Sequence, residues 1–522
     1  MLFRSWKPIK VESLTQLERK RAMESLIFLT EKRDGRIKGR TCANGSTQRS
    51  YIDKDDAASP TVMSESILLT ATVEAKEERD VMTADIPNAF VQTEMVQTGN
   101  ERVVMKIKGY LVDMLLELAE EVYKDFVVYE NNIKVLYVEV LKALYGMLQA
   151  SLLFYKKLKK DLESIGFKIN PYDPCVANRM INGKQHTVTW HVDDLKSSHI
   201  DKKVNDDFLL WLEKMYGDPK TPVKATRGKQ HNYLAMNLNY NEKGKVIIDM
   251  KDYVKGMIEE FPEKVGSSKC PWNENLFKVN NNAKPLSKEK RELFHTFVAK
   301  GLFACKRARP DIQPAIAFLT TRVKEPDEQD WFKLMKLMSY LNYSQNDVLT
   351  LHADDKATIT WYLDAAFAVH NDFKSHTGAT MNLGNGSIQS ISTKQKVNTR
   401  SSTEAELVSM DDIISKVLWT KLFLQAQGYN IKQNIIMRDN QSSMKLELNG
   451  KSSSGKRTRH FNIKYFYITD LINNDEVSIM YCPTESMIAD YFTKPLTGAK
   501  FNKFKNIIMN ISSEPKNRVF ET

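Results

Sequence analysis

The sequence predicts an α/β protein with mixed sheets, and three observations carry that reading. Residues 186–192 place apolar side chains at 188, 190 and 192 and polar ones at 187, 189 and 191, the period of a half-buried strand. Ala357, Ile359, Trp361 and Leu363 alternate in the same way with Thr358, Thr360, Tyr362 and Asp364. Strands come first there, and helices interleave later, beginning with a long one near 403–427, as when helices cover a sheet.

A chain of 522 residues has ample core for roughly three or four domains. Lys and Arg number 76 against 65 Asp and Glu, a formal charge of +11 that suits a polyanionic partner. Five cysteines (Cys42, Cys175, Cys270, Cys305, Cys482) are widely spaced without a C-x-x-C pair, which argues against a zinc site or a disulfide framework. No long apolar run and no signal-peptide pattern is seen, so the expectation is a soluble intracellular protein without a membrane partner.

Taken in order, residues 15–30 carry Leu17, Ala22, Leu26 and Leu29 among charges and suggest an amphipathic helix. Asp34-Gly35 is a hairpin-turn dipeptide, so flanking strands can project Arg33, Lys38 and Arg40 together. A helix is expected over 64–75. Val81 to Asp85 reads as a strand that ends at an acid, because Pro87 forbids a regular ladder beyond it. Strand (102–107) and helix (111–122) follow, and a further helix develops from Leu144-Tyr145-Gly146 to Lys160.

The strand ending at Val192 delivers Asp193-Asp194, and Lys196 to Ile200 supplies its return. Neighbouring strand side chains face opposite ways, so the two acids share a site only if the chain turns there. Two carboxylates about 4 Å apart repel by about 4 kcal/mol at an effective dielectric near 20, a penalty that a hard divalent cation removes. A helix over 204–215 and strands at 233–240 and 245–250 come next. Residues 261–286, rich in Asn, Lys and Pro, look like a linker before a helical block at 288–343 that contains Arg309-Pro310-Asp311. After the strands at 378–383 and 387–393 and the long helix, strands at 435–437 and 477–481 alternate with helices near 464–473 and 486–492. Lys456 to His460 is a basic run suited to phosphate contact.

The ordered set of motifs resembles the Ty1/copia-type retrotransposon Pol polyprotein, reverse transcriptase plus ribonuclease H. It comprises Lys32-Arg33-Asp34-Gly35 with Lys38-Gly39-Arg40, Asp85-x-x-Asn88-Ala89-Phe90, Ala143-Leu144-Tyr145-Gly146, His191-Val192-Asp193-Asp194 and Arg309-Pro310-Asp311-Ile312. The last third adds Ser401-Ser402-Thr403-Glu404-Ala405-Glu406, Arg438-Asp439-Asn440-Gln441-Ser442, Arg457-Thr458-Arg459-His460 and Ala489-Asp490-Tyr491-Phe492-Thr493-Lys494-Pro495-Leu496.

The resemblance implies a right-hand polymerase of fingers, palm and thumb, then a connection and a ribonuclease H-like mixed-sheet domain. Fingers and palm would fill 1–260, thumb and connection 261–350, the ribonuclease domain 351–498 and a basic tail 499–522. Palm acids Asp85, Asp193 and Asp194 would hold two Mg²⁺ (or Mn²⁺) ions, as would the second site's acids. Lys38, Arg40, Phe90, Tyr145, Gly146 and Gln149 would meet the nucleotide, with Phe90 as the gate against a 2′ hydroxyl. Met236, in a segment like that which steadies the primer end, would touch nucleic acid, as would Arg457, Arg459 and His460. Partners would be an RNA template, a DNA primer, dNTPs and the RNA–DNA hybrid, in a cytoplasmic virus-like particle or the nucleus.

In the second site Asp364, Glu406, Asp439 and Asp490 are the implied four-acid cluster. At about 100° per residue Glu404 and Glu406 point about 160° apart. Glu406 falls within the apolar stripe of Met410, Ile413, Ile414 and Val417 and so faces the sheet, while Glu404 faces solvent or caps the helix with Ser401. The chain departs from the family where Leu148 and Leu152 replace a Lys and an Arg, where His191 replaces a Tyr, and at Cys482-Pro483-Thr484-Glu485, which lacks a histidine. The leucines, and the lack of protease, integrase or Gag text before Met1, motivate an alternative: a catalytically weak relic or a co-opted nucleic-acid-binding protein, cut from a longer polyprotein.

Overall fold

The computed structural model describes residues 5–511 apart from 32–34, 36, 96–101 and 451–466. Arg33, Arg457, Arg459 and His460 therefore lie outside the described residues. Among the described residues the expected mixed α/β architecture is observed as four sheets with helices packed between and over them.

The N-terminal sheet joins strands Trp6–Pro8, Ile133–Val140, Val104–Lys108, Met23–Glu31 and Ile37–Ala43 in that spatial order. Here the structure corrects the helix expected over 15–30. Only Gln16–Arg21 is helical, closed at its start by a capping box between Thr15 and Glu18. Met23–Glu31 pairs antiparallel with Ile37–Ala43, setting Phe28 opposite Arg40 and Thr30 opposite Lys38. The β-favouring run Leu26-Ile27-Phe28 with a partner strand close by outweighs a helical pattern resting on four apolar positions.

The second sheet has the order Lys224–Gly228, Asp80–Asp85, Asp194–His199, Lys184–His191, Asp173–Ile181, Lys168–Asn170. The helix Ser64–Lys76, buried along most of its length, shares the core of this sheet. A third sheet runs Gln230–Tyr233, Met236–Asn239, Lys245–Asp249, Leu349–Ala353, Gly384–Asn385. It draws strands from either side of residue 350.

Residues 271–277 are irregular but not a solvated linker, since Trp272, Leu276 and Phe277 are buried beside the helices Lys288–Cys305, Gln313–Thr320 and Glu328–Tyr343. Arg309 and Asp311 are a buried ion pair, Nε to Oδ1 at 2.9 Å and Nη2 to Oδ2 at 2.7 Å. Tyr340 donates to the same carboxylate at 2.6 Å, and the Tyr491 hydroxyl donates to the Asp311 carbonyl at 2.7 Å. The Arg-Pro-Asp motif thereby fastens the helical block to the far end of the chain.

The fourth sheet is mixed: Gln389–Lys394, His376–Asn382 and Thr358–Ala366 pair antiparallel, then Gln433–Arg438 and Ser478–Tyr481 add in parallel. The helix Ser402–Ala426 crosses it. Residues 498–509 form a helix whose Phe501, Phe504 and Ile508 are buried, so this stretch packs rather than trailing as a tail. The second and fourth sheets share one hydrophobic core. Polar contacts close the joint, including Arg79 to the Tyr429 hydroxyl at 2.9 Å and the Trp419 indole to the Tyr172 carbonyl at 3.0 Å.

Candidate active sites

Strand register assembles the first acid cluster. Asp80–Asp85 lies between Asp194–His199 and Lys224–Gly228, with Asp85 directly opposite both Asp194 and Lys224. The hairpin joining His191 to Asp194 has only Val192 and Asp193 at its tip, with Val192 at φ +59. That conformation is strained for a β-branched residue, by about 1–3 kcal/mol. It makes the turn that two adjacent acids need in order to share a site. The Ile86 amide donates to the Asp193 carbonyl at 3.1 Å, locking the tip beside the end of the Asp85 strand.

The acids feel one another. Partial desolvation, then Asp193 and Asp85, push the Asp194 carboxyl up to about 6. Asp193 is also raised, by desolvation and by Asp85, while His191 and Arg40 pull the other way. Beneath the hairpin Lys196, fully buried, pairs with buried Glu74 and donates to Thr70 at 3.2 Å, and the Tyr240 hydroxyl donates to Glu74 at 2.7 Å. Facing the acids, Phe90 packs on Tyr145 with ring centroids 4.7 Å apart, and the Arg40 guanidinium sits 5.6 Å from the Tyr145 ring. Gly146 has φ +89, and a Cβ there would come within 2.1 Å of the Ala43 carbonyl oxygen, so only glycine fits this approach to the Arg40 strand.

The second cluster lies at one end of the mixed sheet. Asp364, Glu406 and Asp439 each place one carboxylate oxygen within 4.8 Å of the others. Asp364 comes from the central strand, Asp439 directly follows the parallel neighbour, and Glu406 descends from the crossing helix. Glu406 is 4 % exposed and accepts from the Ala365 amide at 3.3 Å. Burial raises its carboxyl to about 8, with Arg438 opposing and Asp364 and Asp439 adding to the rise. Arg438, wholly buried, bridges Glu406 at 3.0 Å and Glu447 at 3.3 Å. Thr484 donates to Asp439 at 3.0 Å. Asp490 is buried nearby but held by ammonium groups, Lys494 at 2.5 Å and Lys500 at 2.8 Å. Glu404 accepts from the Arg400 amide at 2.7 Å at the helix start, where the Ser401 hydroxyl accepts from the Glu404 amide.

Residues 17–269 match the family described as reverse transcriptase (RNA-dependent DNA polymerase). The Pol polyprotein of transposon TNT 1-94 from Nicotiana tabacum is 24 % identical over 491 residues, covering 91 % of this chain and 35 % of its own length. That of transposon RE1 from Arabidopsis thaliana is 25 % identical over 477 residues, covering 91 % and 30 %. Over about nine-tenths of its length the chain is similar to these transposon Pol polyproteins, and over residues 17–269 to a reverse transcriptase. It spans about a third of the length of these relatives. Among solved structures a foamy viral protease-reverse transcriptase in complex with double-stranded DNA aligns at TM-score 0.48 and 12 % identity, over 88 % of this chain and 65 % of that one.

The residues that the resemblance singles out divide into those the structure brings together and those it does not. Asp85, Asp193 and Asp194 converge, with Arg40, Phe90, Tyr145 and Gly146 beside them. Lys38 lies two residues before Arg40 on the same strand. Gln149 instead lines a separate cavity of about 550 Å³ with Arg21, Gln48 and Arg102. Met236 requires correction: its side chain is 1 % exposed and packs in the core, while Leu234 and Ala235, at φ +51 and +65, form the turn that precedes it. Any contact with nucleic acid there falls to the turn. The four-acid cluster resolves into a triad plus Asp490 paired with lysines. Sequence reasoning missed Lys196–Glu74, Arg438–Glu447 and Lys224. A lysine inside a strand and an arginine before Asp439 were visible signals, but Glu74 lies far from Lys196 in the chain, and Glu447 meets Arg438 only once the following helix folds back. Leu152, standing for a family cation, is buried, and the Leu148 amide donates to Gln48 at 2.8 Å.

Proposed function

We propose that the chain is an RNA-directed DNA polymerase that also degrades the RNA strand of the RNA–DNA hybrid. The observation carrying the polymerase reading is the register that sets Asp85 opposite Asp194 with Asp193 at the adjoining tip. Burial first, and then repulsion within the cluster, raises the Asp193 and Asp194 carboxyls, and the oxygen donors of this set fit Mg²⁺. Two Mg²⁺ ions held there would lower the pKa of the primer 3′ hydroxyl and neutralise charge on the departing pyrophosphate. The protein's own part is positioning. Buried Lys196–Glu74 steadies the strand under the acids, Lys38 and Arg40 meet the triphosphate, and the Phe90 ring on Tyr145 closes the space a 2′ hydroxyl would enter.

The second site supports hybrid cleavage. Asp364, Glu406 and Asp439 offer oxygen ligands close enough to share a divalent cation. Arg438 holds Glu406 and Thr484 holds Asp439, so both carboxylates are oriented before any ion arrives. RNA template, DNA primer and dNTPs would serve the first site and the hybrid the second. By family resemblance the protein would work in a cytoplasmic particle, with the nucleus also open to it. Among the described residues no helix is long and apolar enough to cross a membrane. Purified chain should extend a DNA primer on RNA in Mg²⁺, and Asp193→Asn should abolish this while circular dichroism is unchanged. Equal extension by both chains would overturn the reading.

A further inference from the structure

Four carboxylates meet at the end of the mixed sheet, yet they are not equivalent. Three approach within 4.8 Å of one another, and Asp490 is not among them. Both Asp490 oxygens are committed: Oδ1 lies 2.5 Å from the Lys494 ammonium and Oδ2 lies 2.8 Å from that of Lys500. Lys494 also reaches Asp364 Oδ2 at 3.5 Å, the same oxygen to which the Thr493 hydroxyl donates. Its ammonium therefore stands between Asp364 and Asp490.

We propose that Lys494 takes the place of a second divalent cation in this site. Asp364, Glu406 and Asp439 would then hold one ion, while Asp490 serves to hold the lysine. The inference rests on the ribonuclease reading above and narrows it. Chemistry and local geometry support it together. Asp490 is 1 % exposed, so its charge must be paired, and Lys494, four residues on, is tethered where it can pair it. An ion lodged between Asp364 and Asp490 would have to expel that ammonium or sit against a like charge. Lysine binds as a compact point charge, which suits a cation's position better than a planar guanidinium would. Lys494 is on this account a positioning and charge-balancing residue, distinct from the three acids that would touch the ion.

The test counts ions without relying on turnover. Full chain carrying Asp193→Asn and Asp194→Asn, which silences the first site, is saturated with an RNA–DNA hybrid made uncleavable by 2′-O-methyl ribose. It is then titrated with Mn²⁺ and followed by electron paramagnetic resonance. With Lys494 present the spectrum should be that of isolated Mn²⁺ ions, removed by Glu406→Gln. Lys494→Met should add the spin-coupled signal of an ion pair, and restoring charge as Lys494→Arg should suppress it. A coupled pair in the chain that keeps Lys494, or isolated ions only after Lys494→Met with Lys500→Met, would overturn the proposal. Should Lys494→Met not fold, the Lys494 chain decides alone. Mn²⁺ binding indifferent to Glu406→Gln would instead sink the ribonuclease reading itself.

Discussion

Lowering the pH from 8 to 6 should weaken divalent-cation binding at Asp364, Glu406 and Asp439 by about fiftyfold. Glu406 is buried, and its carboxyl is raised from 4.5 to about 8, so the metal-free site holds a proton at neutral pH. A cation needs the carboxylate, and with a pKa near 8 only about one molecule in a hundred is ionised at pH 6, against about half at pH 8. The sign follows from linkage. A raised folded-state pKa gives stability that is complete below pH 4.5 and lost as pH rises through about 8. Over that window the metal-free chain should lose on the order of 5 kcal/mol at most, which a bound cation restores. Calorimetric Mn²⁺ titrations of the Asp193→Asn chain, in two buffers of different ionisation enthalpy, read both quantities. Close to one proton should be released per ion at pH 7, and Glu406→Gln should remove both the binding and the proton release. Affinity constant from pH 6 to 8 without proton release would mean that Glu406 carries no proton in the metal-free site.

Phe90→Ala should admit ribonucleotides into primer extension, because the ring on Tyr145 is what would exclude a 2′ hydroxyl; unchanged discrimination between dNTP and rNTP would leave Phe90 as packing alone. Arg309→Leu should lower stability by about 3–5 kcal/mol in urea titrations, since it strands the buried Asp311 carboxylate. Val192→Gly should relieve the φ +59 strain and raise stability by about 1 kcal/mol. A loss of stability in that variant would mean the turn is not strained.

Much of this was legible in the sequence, and what was hidden has physical causes. Alternation at 186–192 and 357–363 located the two strands that organise the acid sites, because a period of two needs only local sequence. Helix angles chose Glu406 over Glu404 for the sheet side, and burial agrees. Met236 failed because a short strand next to a hairpin does not declare which residues form the turn; Leu234 and Ala235 adopt left-handed conformations that neither residue type advertises. The strand at Met23–Glu31 was missed because its stability comes from pairing with Ile37–Ala43. Lys196 and Glu74, or Arg79 and Tyr429, are separated by more than a hundred residues. No local pattern announces such pairs. Lys494 was visible in its motif, but its place between Asp364 and Asp490 appears only once the chain is folded.

Two separate acid sites on one chain should do different work, and single substitutions in each should separate the two activities. Primer extension on RNA and cleavage of a preformed RNA–DNA hybrid are assayed together for Asp193→Asn, Glu406→Gln and Glu404→Gln. Asp193→Asn should lose extension and keep cleavage, and Glu406→Gln should lose cleavage and keep extension. Glu404→Gln should keep both, at a cost of about 1 kcal/mol or less from its weakened helix start. Loss of both activities in either single mutant of the acid sites, or cleavage lost in Glu404→Gln and retained in Glu406→Gln, would contradict this separation.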